Sequence, residues 1–288
     1  MTPSGRAPVA VVTGASSGIG LAAAVELGRR GWRVLLLGRD PDRLAAAEQQ
    51  VTAVAGVAAT AYRCDLASFA QVRRVAAQIC AEHERIDVLA NNAGGRVATR
   101  RVTEDGFEET IQTNHLAHFL LSHLLRERLA GGRIINTTSL MHRFGRLDPT
   151  DLNGERHPYR PFGVYSTAKQ ATVLFTVEAT RRWPEITTMC FSPGVVRTRF
   201  GRDHPVLGFF FRYAPGLRSP EQAARTLVTL ATADRATLVP GGYYANGRPR
   251  PAAPRATDGD LAERLWVASE KAVGVHGDST VDEWATSV

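Results

Sequence analysis

A glycine-rich turn reads Thr13-Gly14-Ala15-Ser16-Ser17-Gly18-Ile19-Gly20. It follows an apolar, β-branched run at residues 9–12 and precedes a helical pattern that ends near Arg30. Glycines at this spacing let the backbone approach a pyrophosphate closely, and the first N–H groups of the next helix point at the anion. A tight turn without a ligand would look similar. Its place after the first strand favours a dinucleotide site made by Gly14 and residues 16–20.

The same alternation of strand and helix continues along the chain. Further strands are predicted at residues 33–37, 58–63, 86–90, 133–138 and 187–192, with a weaker seventh at 242–245. Strands that alternate with helices of ten or more residues predict βαβ units. The fold class is therefore α/β, a doubly wound Rossmann parallel sheet of about seven strands with helices on both faces. We expect one domain over residues 1–288, with its core at 8–246.

Two loops interrupt the alternation, and both leave the carboxyl ends of strands, where open α/β sheets bind ligands. Residues 141–162 are an inserted loop, and residues 200–217 are a predicted substrate lid that contains Phe209-Phe210-Phe211. This aromatic run could also pack as core or touch a membrane surface, but its position after the sixth strand favours a pocket. Residues 249–288 are a C-terminal extension with an amphipathic helix near 258–273.

Composition excludes several classes of protein. The 44% hydrophobic and 22% charged fractions are those of an ordinary globular protein. The three cysteines fit neither a secreted disulfide framework nor a zinc site, which favours the cytoplasm. The chain has no apolar run long enough for a transmembrane helix. The net charge is +7, but the arginines are scattered, so we expect no nucleic-acid partner.

Polar residues at the ends of the next strands complete the predicted cofactor site. Arg39 and Asp40 end the second strand, where an arginine favours the 2′-phosphate of NADP and a carboxylate the ribose of NAD. Asp40 could instead cap the next helix, so we expect NADP(H) in preference to NAD(H). Asp65-Leu66 could contact adenine, or Asp65 could cap a helix. Asn92-Ala93-Gly94 gives small residues where the cofactor passes, although it is also an ordinary turn.

Tyr165 and Lys169 are the predicted catalytic pair. They are four residues apart, which places them on one helix face. A tyrosine has a pKa near 10, so it needs a nearby cation to act as a base at neutral pH. Ser139 could bind a substrate carbonyl oxygen, and Asn114 could orient Lys169 through a water. Each could also have an ordinary structural role. Tyr165 and Lys169 could be a surface pair, Ser139 a turn residue, and Asn114 a helix residue bonded to its own backbone.

Three histidines, His115, His118 and His123, raise the possibility of a metal site. No acid or cysteine joins them at ligand spacing, so we predict no metal. The helix that contains Tyr165, near residues 163–183, and the helix before it could pack in a homodimer or homotetramer.

Together these residues resemble the short-chain dehydrogenase/reductase family in its classical form, over about residues 8–246. The resemblance rests on Thr13-Gly14-x-x-x-Gly18-x-Gly20, Asn91-Asn92-Ala93-Gly94, Asn114, Ser139, Tyr165-x-x-x-Lys169 and Pro193-Gly194-x-Val196-x-Thr198. A closer likeness to the retinol-dehydrogenase-like branch rests on Gly38-Arg39-Asp40, the segment Asn114-His115-Leu116-Ala117-His118-Phe119-Leu120-Leu121, the long insertion before Tyr165 and Leu261-x-x-Arg264-Leu265-Trp266.

The resemblance implies a role for each matched residue. Tyr165 would be the acid in carbonyl reduction and the base in alcohol oxidation, and Lys169 would lower its pKa and bind the nicotinamide ribose. Ser139 would polarise the carbonyl, and Asn114 would hold a water that relays protons. Residues Pro193, Gly194, Val196 and Thr198 would contact the nicotinamide end of the cofactor.

The sequence therefore predicts an NADP(H)-dependent oxidoreductase that acts on an apolar alcohol, ketone or aldehyde. Two other functions stay open on the same fold. One is a non-redox biosynthetic reaction, such as dehydration or cyclisation, in which the tyrosine is an acid without a hydride step. The other is a regulator that binds NADP(H) without turnover, although such a protein needs neither Tyr165 nor Lys169.

Overall fold

The computed structural model describes residues 6–196 and 217–275. Within these ranges eight strands form one sheet in the order β3-β2-β1-β4-β5-β6-β7-β8. Strands β1 to β7 pair in parallel and β8 pairs antiparallel to β7. The strands are β1 (Val9–Thr13), β2 (Arg33–Gly38), β3 (Thr60–Arg63), β4 (Val88–Asn91), β5 (Arg133–Thr137), β6 (Thr187–Ser192), β7 (Tyr243–Ala245) and β8 (Arg248–Arg250). The predicted doubly wound fold is confirmed.

Strand β8 was not predicted. It follows a two-residue turn, Asn246-Gly247, whose φ angles of 56° and 73° are typical of a type I′ hairpin. Pro249 is tolerated in β8 because the strand is at the edge of the sheet. All three of its residues are exposed, so it has no hydrophobic pattern to detect. The Asn-Gly pair was the available signal.

Helices cover both faces of the sheet because both faces of its strands are apolar. The helices are α1 (Gly18–Arg29), α2 (Pro41–Thr52), α3 (Phe69–Glu82), α4 (Glu109–Ile111), α5 (Ala117–Leu124), α6 (Pro161–Arg182), α7 (Pro220–Thr232) and α8 (Gly259–Val273). In β1, Val9 and Val11 pack into one cluster with α3, α5, α6 and α8, and Ala10 and Val12 pack into another with α1, α2 and α7. A π-helical segment, Gln112–Leu116, joins α4 to α5.

The C-terminal helix α8 forms close to its predicted position. Asp258 caps it by accepting a hydrogen bond from the Leu261 N–H, and Gly274 ends it in the left-handed conformation. The Trp266 ring lies against Phe119 of α5 and Phe175 of α6, at centroid distances of 4.9 and 6.0 Å. Helix α8 therefore covers part of the surface that we expected α5 and α6 to offer to a second copy.

The two predicted loops differ in what can be described. Residues 141–162 begin in a 3-10 turn, Leu140–Phe144, and end in the first turn of α6. The predicted lid at 200–217 lies outside the described residues except for Leu217, and so does the phenylalanine run. In the part of the chain that the structure describes, no helix is long and apolar enough to span a bilayer.

Candidate active site

The glycine-rich turn is joined to the loop after β4 by the side chain of Thr13. Its hydroxyl oxygen accepts hydrogen bonds from the backbone N–H groups of Asn92 and Ala93, both at 2.9 Å. The Asn92 side chain in turn donates to the Thr13 carbonyl oxygen at 3.0 Å. These bonds bring the ends of β1 and β4 together at the carboxyl edge of the sheet.

The turn has the shape that a dinucleotide needs. A Cβ on Gly20 would collide with the backbone carbonyl of Gly14 and lie 2.7 Å from the side-chain nitrogen of Asn92, so only glycine allows α1 to begin this close to the turn. At Gly18 a Cβ would meet nothing within 4 Å, which leaves space beside the helix N-terminus. Residues Gly14, Ser16, Ser17, Gly18 and Ile19 line the resulting cleft. The chain therefore fits a bound pyrophosphate here.

The two charged residues that follow β2 have different contacts, although both line the cleft. The Asp40 carboxylate caps α2 by accepting from the Arg43 N–H at 3.1 Å, and it also pairs with the Arg43 guanidinium at 3.3 Å. Arg39 is exposed and lines the cleft. Arg43 lines the same cleft and was not predicted as a site residue. Its position in the first turn of α2, close to Arg39-Asp40, could have identified it as a site residue from the sequence.

The remaining predicted cofactor residues line the same cleft. Asp65 accepts from the Ala67 N–H at 3.0 Å, which fixes the turn before α3, and Ser68 rather than Asp65 caps that helix. The cleft is also lined by Leu66, Asn92, Ala93, Gly94, Pro193, Gly194 and Val196. Thr198 lies outside the described residues.

Ser139, Tyr165 and Lys169 also line this cleft. Ser139 follows β5, and the other two are one turn apart on α6. The Lys169 ammonium donates to the Thr137 carbonyl oxygen at 3.0 Å and lies 5.6 Å from the centroid of the Tyr165 ring. The Ser139 side chain lies close enough to Tyr165 to influence the ionisation of its phenol. Three of the four predicted catalytic side chains therefore meet at one place.

Burial shifts the pKa values of both α6 residues. It raises the pKa of Tyr165 to about 12, although the nearby Ser139 acts in the opposite direction. Burial lowers the pKa of Lys169 to about 8, because the charged ammonium loses its hydration. At neutral pH Tyr165 therefore carries its proton, and most Lys169 side chains are charged. The lowering of the Tyr165 pKa by Lys169, which the pattern implied, stays a prediction.

Asn114, the fourth predicted catalytic residue, lies in the π-helical segment. Its amide nitrogen donates to the carbonyl oxygens of Gly95 at 2.9 Å and Thr110 at 2.8 Å. Its Oδ1 is buried and has no hydrogen-bond partner among the described residues. A Cβ built on Gly94 would collide with this Oδ1 and lie 3.2 Å from the Lys169 nitrogen. Asn114 and Lys169 therefore approach each other across Gly94.

His118 is a buried residue of this site that the sequence reasoning missed. Its Nδ1 lies 3.2 Å from the Asn114 carbonyl oxygen and its Nε2 lies 3.1 Å from the Thr13 hydroxyl. A carbonyl only accepts, so Nδ1 carries the proton and Nε2 accepts from Thr13. Burial, together with the charge of Lys169, lowers the pKa of His118 to about 3, so the ring is neutral. His118 joins the glycine-rich turn to the π segment.

The other two histidines have separate partners. His115 is 2.8 Å from the Ser269 hydroxyl, and His123 packs against Phe119 and Trp183. Across residues 6–196 and 217–275, no three potential metal ligands converge.

Comparison with known proteins gives the site a family context. Residues 8–205 match the family described as short chain dehydrogenase. A Streptomyces sp. (strain C5) protein named as a candidate daunorubicin C-13 ketoreductase, DnrU, is 49% identical over 275 residues, which cover 95% of this chain and 96% of that protein. Human retinol dehydrogenase 13 is 38% identical over 286 residues, which cover 95% of this chain and 86% of that protein.

Solved structures show the same fold. An uncharacterised protein from Mycobacterium paratuberculosis has a TM-score of 0.79 and 32% identity, with 93% of this chain and 94% of that chain covered. A Sphingobium yanoikuyae short-chain dehydrogenase in complex with NADPH has a TM-score of 0.62 and 26% identity, with 77% and 84% covered. The chain therefore belongs to the short-chain dehydrogenase/reductase family, in its retinol-dehydrogenase-like branch, and is an oxidoreductase that acts on CH–OH groups.

Proposed function

We propose that this protein uses NADPH to reduce a ketone or aldehyde on an apolar molecule, and catalyses the reverse oxidation of the alcohol. The observation that carries the proposal is the meeting of Ser139, Tyr165 and Lys169 in the cleft that the glycine-rich turn lines. A nicotinamide cofactor, when bound, supplies the hydride. The protein has to hold the substrate carbonyl and provide a proton to its oxygen.

Tyr165 is the proton donor in this mechanism. Because burial raises the pKa of Tyr165 to about 12, its hydroxyl keeps a proton to give to the substrate oxygen at neutral pH. The Ser139 hydroxyl stabilises the negative charge that develops on that oxygen. The Lys169 ammonium stabilises the phenolate that Tyr165 becomes. Oxidation needs Tyr165 to lose its proton first, so the raised pKa favours reduction at neutral pH.

Asn114 completes the proton path in this proposal. Its buried Oδ1 has an unused lone pair and approaches the Lys169 nitrogen across Gly94. A water that donates to this oxygen could pass protons toward Lys169 and Tyr165.

The choice of NADP(H) rests on the end of β2. Arg39 is exposed toward the cleft, whereas the Asp40 carboxylate is engaged by Arg43 and by the start of α2. A 2′-phosphate would pair with arginine, and the Asp40 carboxylate, which also lines the cleft, is already paired with Arg43. The NADPH complex of the Sphingobium yanoikuyae relative supports this choice.

The substrate is proposed to be largely apolar. Leu140, Met141 and Phe162 line the cleft beside the catalytic residues. The names of the relatives, a candidate daunorubicin ketoreductase and retinol dehydrogenases, support a large apolar substrate. We also propose a cytoplasmic location, which the three buried cysteine thiols support.

The proposal is tested by following NADPH oxidation with a panel of apolar aldehydes and ketones, with NADH in parallel. Tyr165→Phe should lower turnover by at least about a hundredfold, since it removes the acid, while the Kd for NADPH stays unchanged. Full activity of Tyr165→Phe would exclude it as the proton donor. Tight NADPH binding by the natural enzyme without turnover on any carbonyl would contradict the redox function.

A second experiment tests the cofactor choice. Arg39→Ala should weaken NADPH binding about 10- to 100-fold and NADH binding much less, because a charge-assisted pair with the 2′-phosphate is lost. Arg29→Ala is the matched control, since Arg29 is exposed on α1 and does not line the cleft. An equal loss for both cofactors would show that Arg39 does not read the 2′-phosphate.

A further inference from the structure

The loop after β4 places a second type of group in the cleft beside the catalytic residues. Arg96 lines the cleft together with Ser139 and Tyr165. Its guanidinium carbon lies 4.9 Å from the centroid of the Phe162 ring. Phe162 precedes Tyr165 by three residues on α6, so the two rings share a helix face, and Phe162 is 42% exposed. Arg96 is thus held over an aromatic ring at the substrate side of the cleft.

Arg96 differs from two nearby arginines in having no carboxylate partner among the described residues. Arg100 pairs with Glu155 at 3.5 Å and Arg101 pairs with Glu109 at 2.7 Å. Among the described residues, no carboxylate lies within ion-pair distance of Arg96. The Nε of Arg96 is also buried without a hydrogen-bond partner. Arg96 is therefore a cation in the cleft whose charge the described protein does not neutralise by contact.

The buried carboxylate in this region already has partners. Glu108 accepts from the Ile111 N–H at 2.9 Å with one oxygen and from the Tyr159 hydroxyl at 3.3 Å with the other. It caps the short helix α4 and is almost fully buried. Both carboxylate oxygens of Glu108 therefore have hydrogen-bond partners other than Arg96.

We propose that Arg96 binds an anionic oxygen group of the substrate, such as a carboxylate, at a distance from the reacting carbonyl. A partly desolvated guanidinium gains most from a planar, charged acceptor with two oxygens, which it can bind through two hydrogen bonds. The apolar side chains of Leu140, Met141 and Phe162 would contact the rest of the molecule. The preferred substrates are then apolar ketones that also carry an acid, an inference that rests on the proposed reductase function.

Binding can be measured without turnover in the Tyr165→Phe protein loaded with NADPH. Calorimetry would compare benzoyl-terminated alkanoates of increasing chain length with their uncharged methyl esters. For at least one length we expect the acid to bind about 10- to 100-fold more tightly than its ester. Adding Arg96→Met should remove this preference, since methionine keeps an apolar contact with Phe162 but carries no charge. Equal affinities at every length, or no measurable binding of any acid, would overturn the proposal.

Two further variants control for structure and for general charge. Arg101→Met removes another cleft arginine, one that Glu109 already neutralises, and should leave the preference unchanged. Arg96→Lys keeps the positive charge but loses the planar pair of N–H donors of the guanidinium, so it should retain part of the preference. If Arg101→Met abolishes the preference as fully as Arg96→Met, the site is a general positive potential and the assignment to Arg96 is wrong.

Kinetics then separate this inference from the proposed reductase function. In an otherwise natural enzyme, Arg96→Met should raise KM for the keto acid and leave kcat for the ester unchanged. Reduction of the esters without any preference for acids would support the reductase function and contradict the role of Arg96. An acid preference in binding without turnover on either series would support the role of Arg96 and contradict the reductase function.

Discussion

At the scale of single residues, the proposed mechanism depends on two side chains of α6 whose pKa values burial moves in opposite directions. Tyr165 stays protonated far above neutral pH, whereas Lys169 begins to lose its proton near pH 8. The acid and the cation that stabilises its conjugate base are therefore both in the required state only below the pKa of Lys169.

We expect kcat/KM for NADPH, at saturating ketone, to fall as pH rises through about 8, because this parameter reports ionisation of the free enzyme. Tyr165 does not contribute to the fall, since its pKa is about 12. Lys169→Arg should remove the alkaline fall even if its rate is lower, because a guanidinium stays charged. A flat profile for the natural enzyme up to pH 10 would contradict the assignment.

Most single site residues were predictable because the chemistry of their side chains is local. The scarcity of lysine identified Lys169, and the alternation of elements placed Ser139 and Tyr165 at the carboxyl edge. The sequence favoured Arg39 over Asp40 as the residue that contacts the cofactor, and the structure shows that Asp40 accepts from the Arg43 N–H. His118 was missed because its two partners, Thr13 and Asn114, lie on separate elements that only the folded chain brings together.

At the scale of elements, the π-helical segment between α4 and α5 is packed directly against the loop after β4. It presents Asn114 to the backbone of Gly94 and Gly95. Gly94 has a φ of 154° and no space for a Cβ, whereas a Cβ on Gly95 would meet nothing within 4 Å. Two adjacent glycines therefore differ sharply in what they tolerate.

Gly94→Ala should lower the free energy of unfolding by about 1–3 kcal/mol and displace Asn114, with at least a tenfold loss of kcat/KM. Gly95→Ala is the matched control and should change stability by less than about 0.5 kcal/mol. Thermal unfolding and the ketone assay measure both effects. Equal behaviour of the two variants would show that contact between Gly94 and Asn114 is not a constraint.

The strands, and the three helices α1, α6 and α8, could be predicted to within a few residues, because their apolar periodicity reflects burial against one sheet. The π-helical segment could not be predicted. It differs from an α-helix only in which backbone carbonyl accepts each N–H hydrogen bond, and its apolar pattern is the same as that of an α-helix. The exposed Arg-Pro-Arg sequence of β8 has no hydrophobic periodicity. The preceding Asn246-Gly247 pair, however, is typical of a hairpin turn.

At the scale of the whole molecule, helix α8 connects the C-terminal region to the helices that carry the site. Trp266 contacts Phe119, Phe175 and Trp183, and Ser269 contacts His115 next to Asn114. Glu263 lies within 4 Å of Arg181 and Arg182 at the end of α6. A homodimer or homotetramer stays a prediction, but one built on this part of α5 and α6 would have to accommodate α8.

Trp266→Ala should lower the free energy of unfolding by about 3–5 kcal/mol, because it leaves a cavity among aromatic rings. The adjacent Val267 is 56% exposed, so Val267→Ala should cost less than about 0.5 kcal/mol. Denaturant unfolding of both variants is the measurement. A small effect of Trp266→Ala would mean that α8 adds little to the stability of the fold.

The way α8 is attached also affects how the protein responds to proteases. In β8, Arg248 and Arg250 each precede a proline, whereas the exposed Arg255, between β8 and α8, precedes Ala256. Trypsin cleaves poorly before proline, so the Arg255–Ala256 peptide bond is the susceptible bond in the segment between β8 and α8. A nick there would remove the covalent link between β8 and α8. Departure of α8 would uncover Phe119 and Phe175, which pack against Trp266. Loss of activity during limited digestion would then follow departure of the peptide rather than the cut itself.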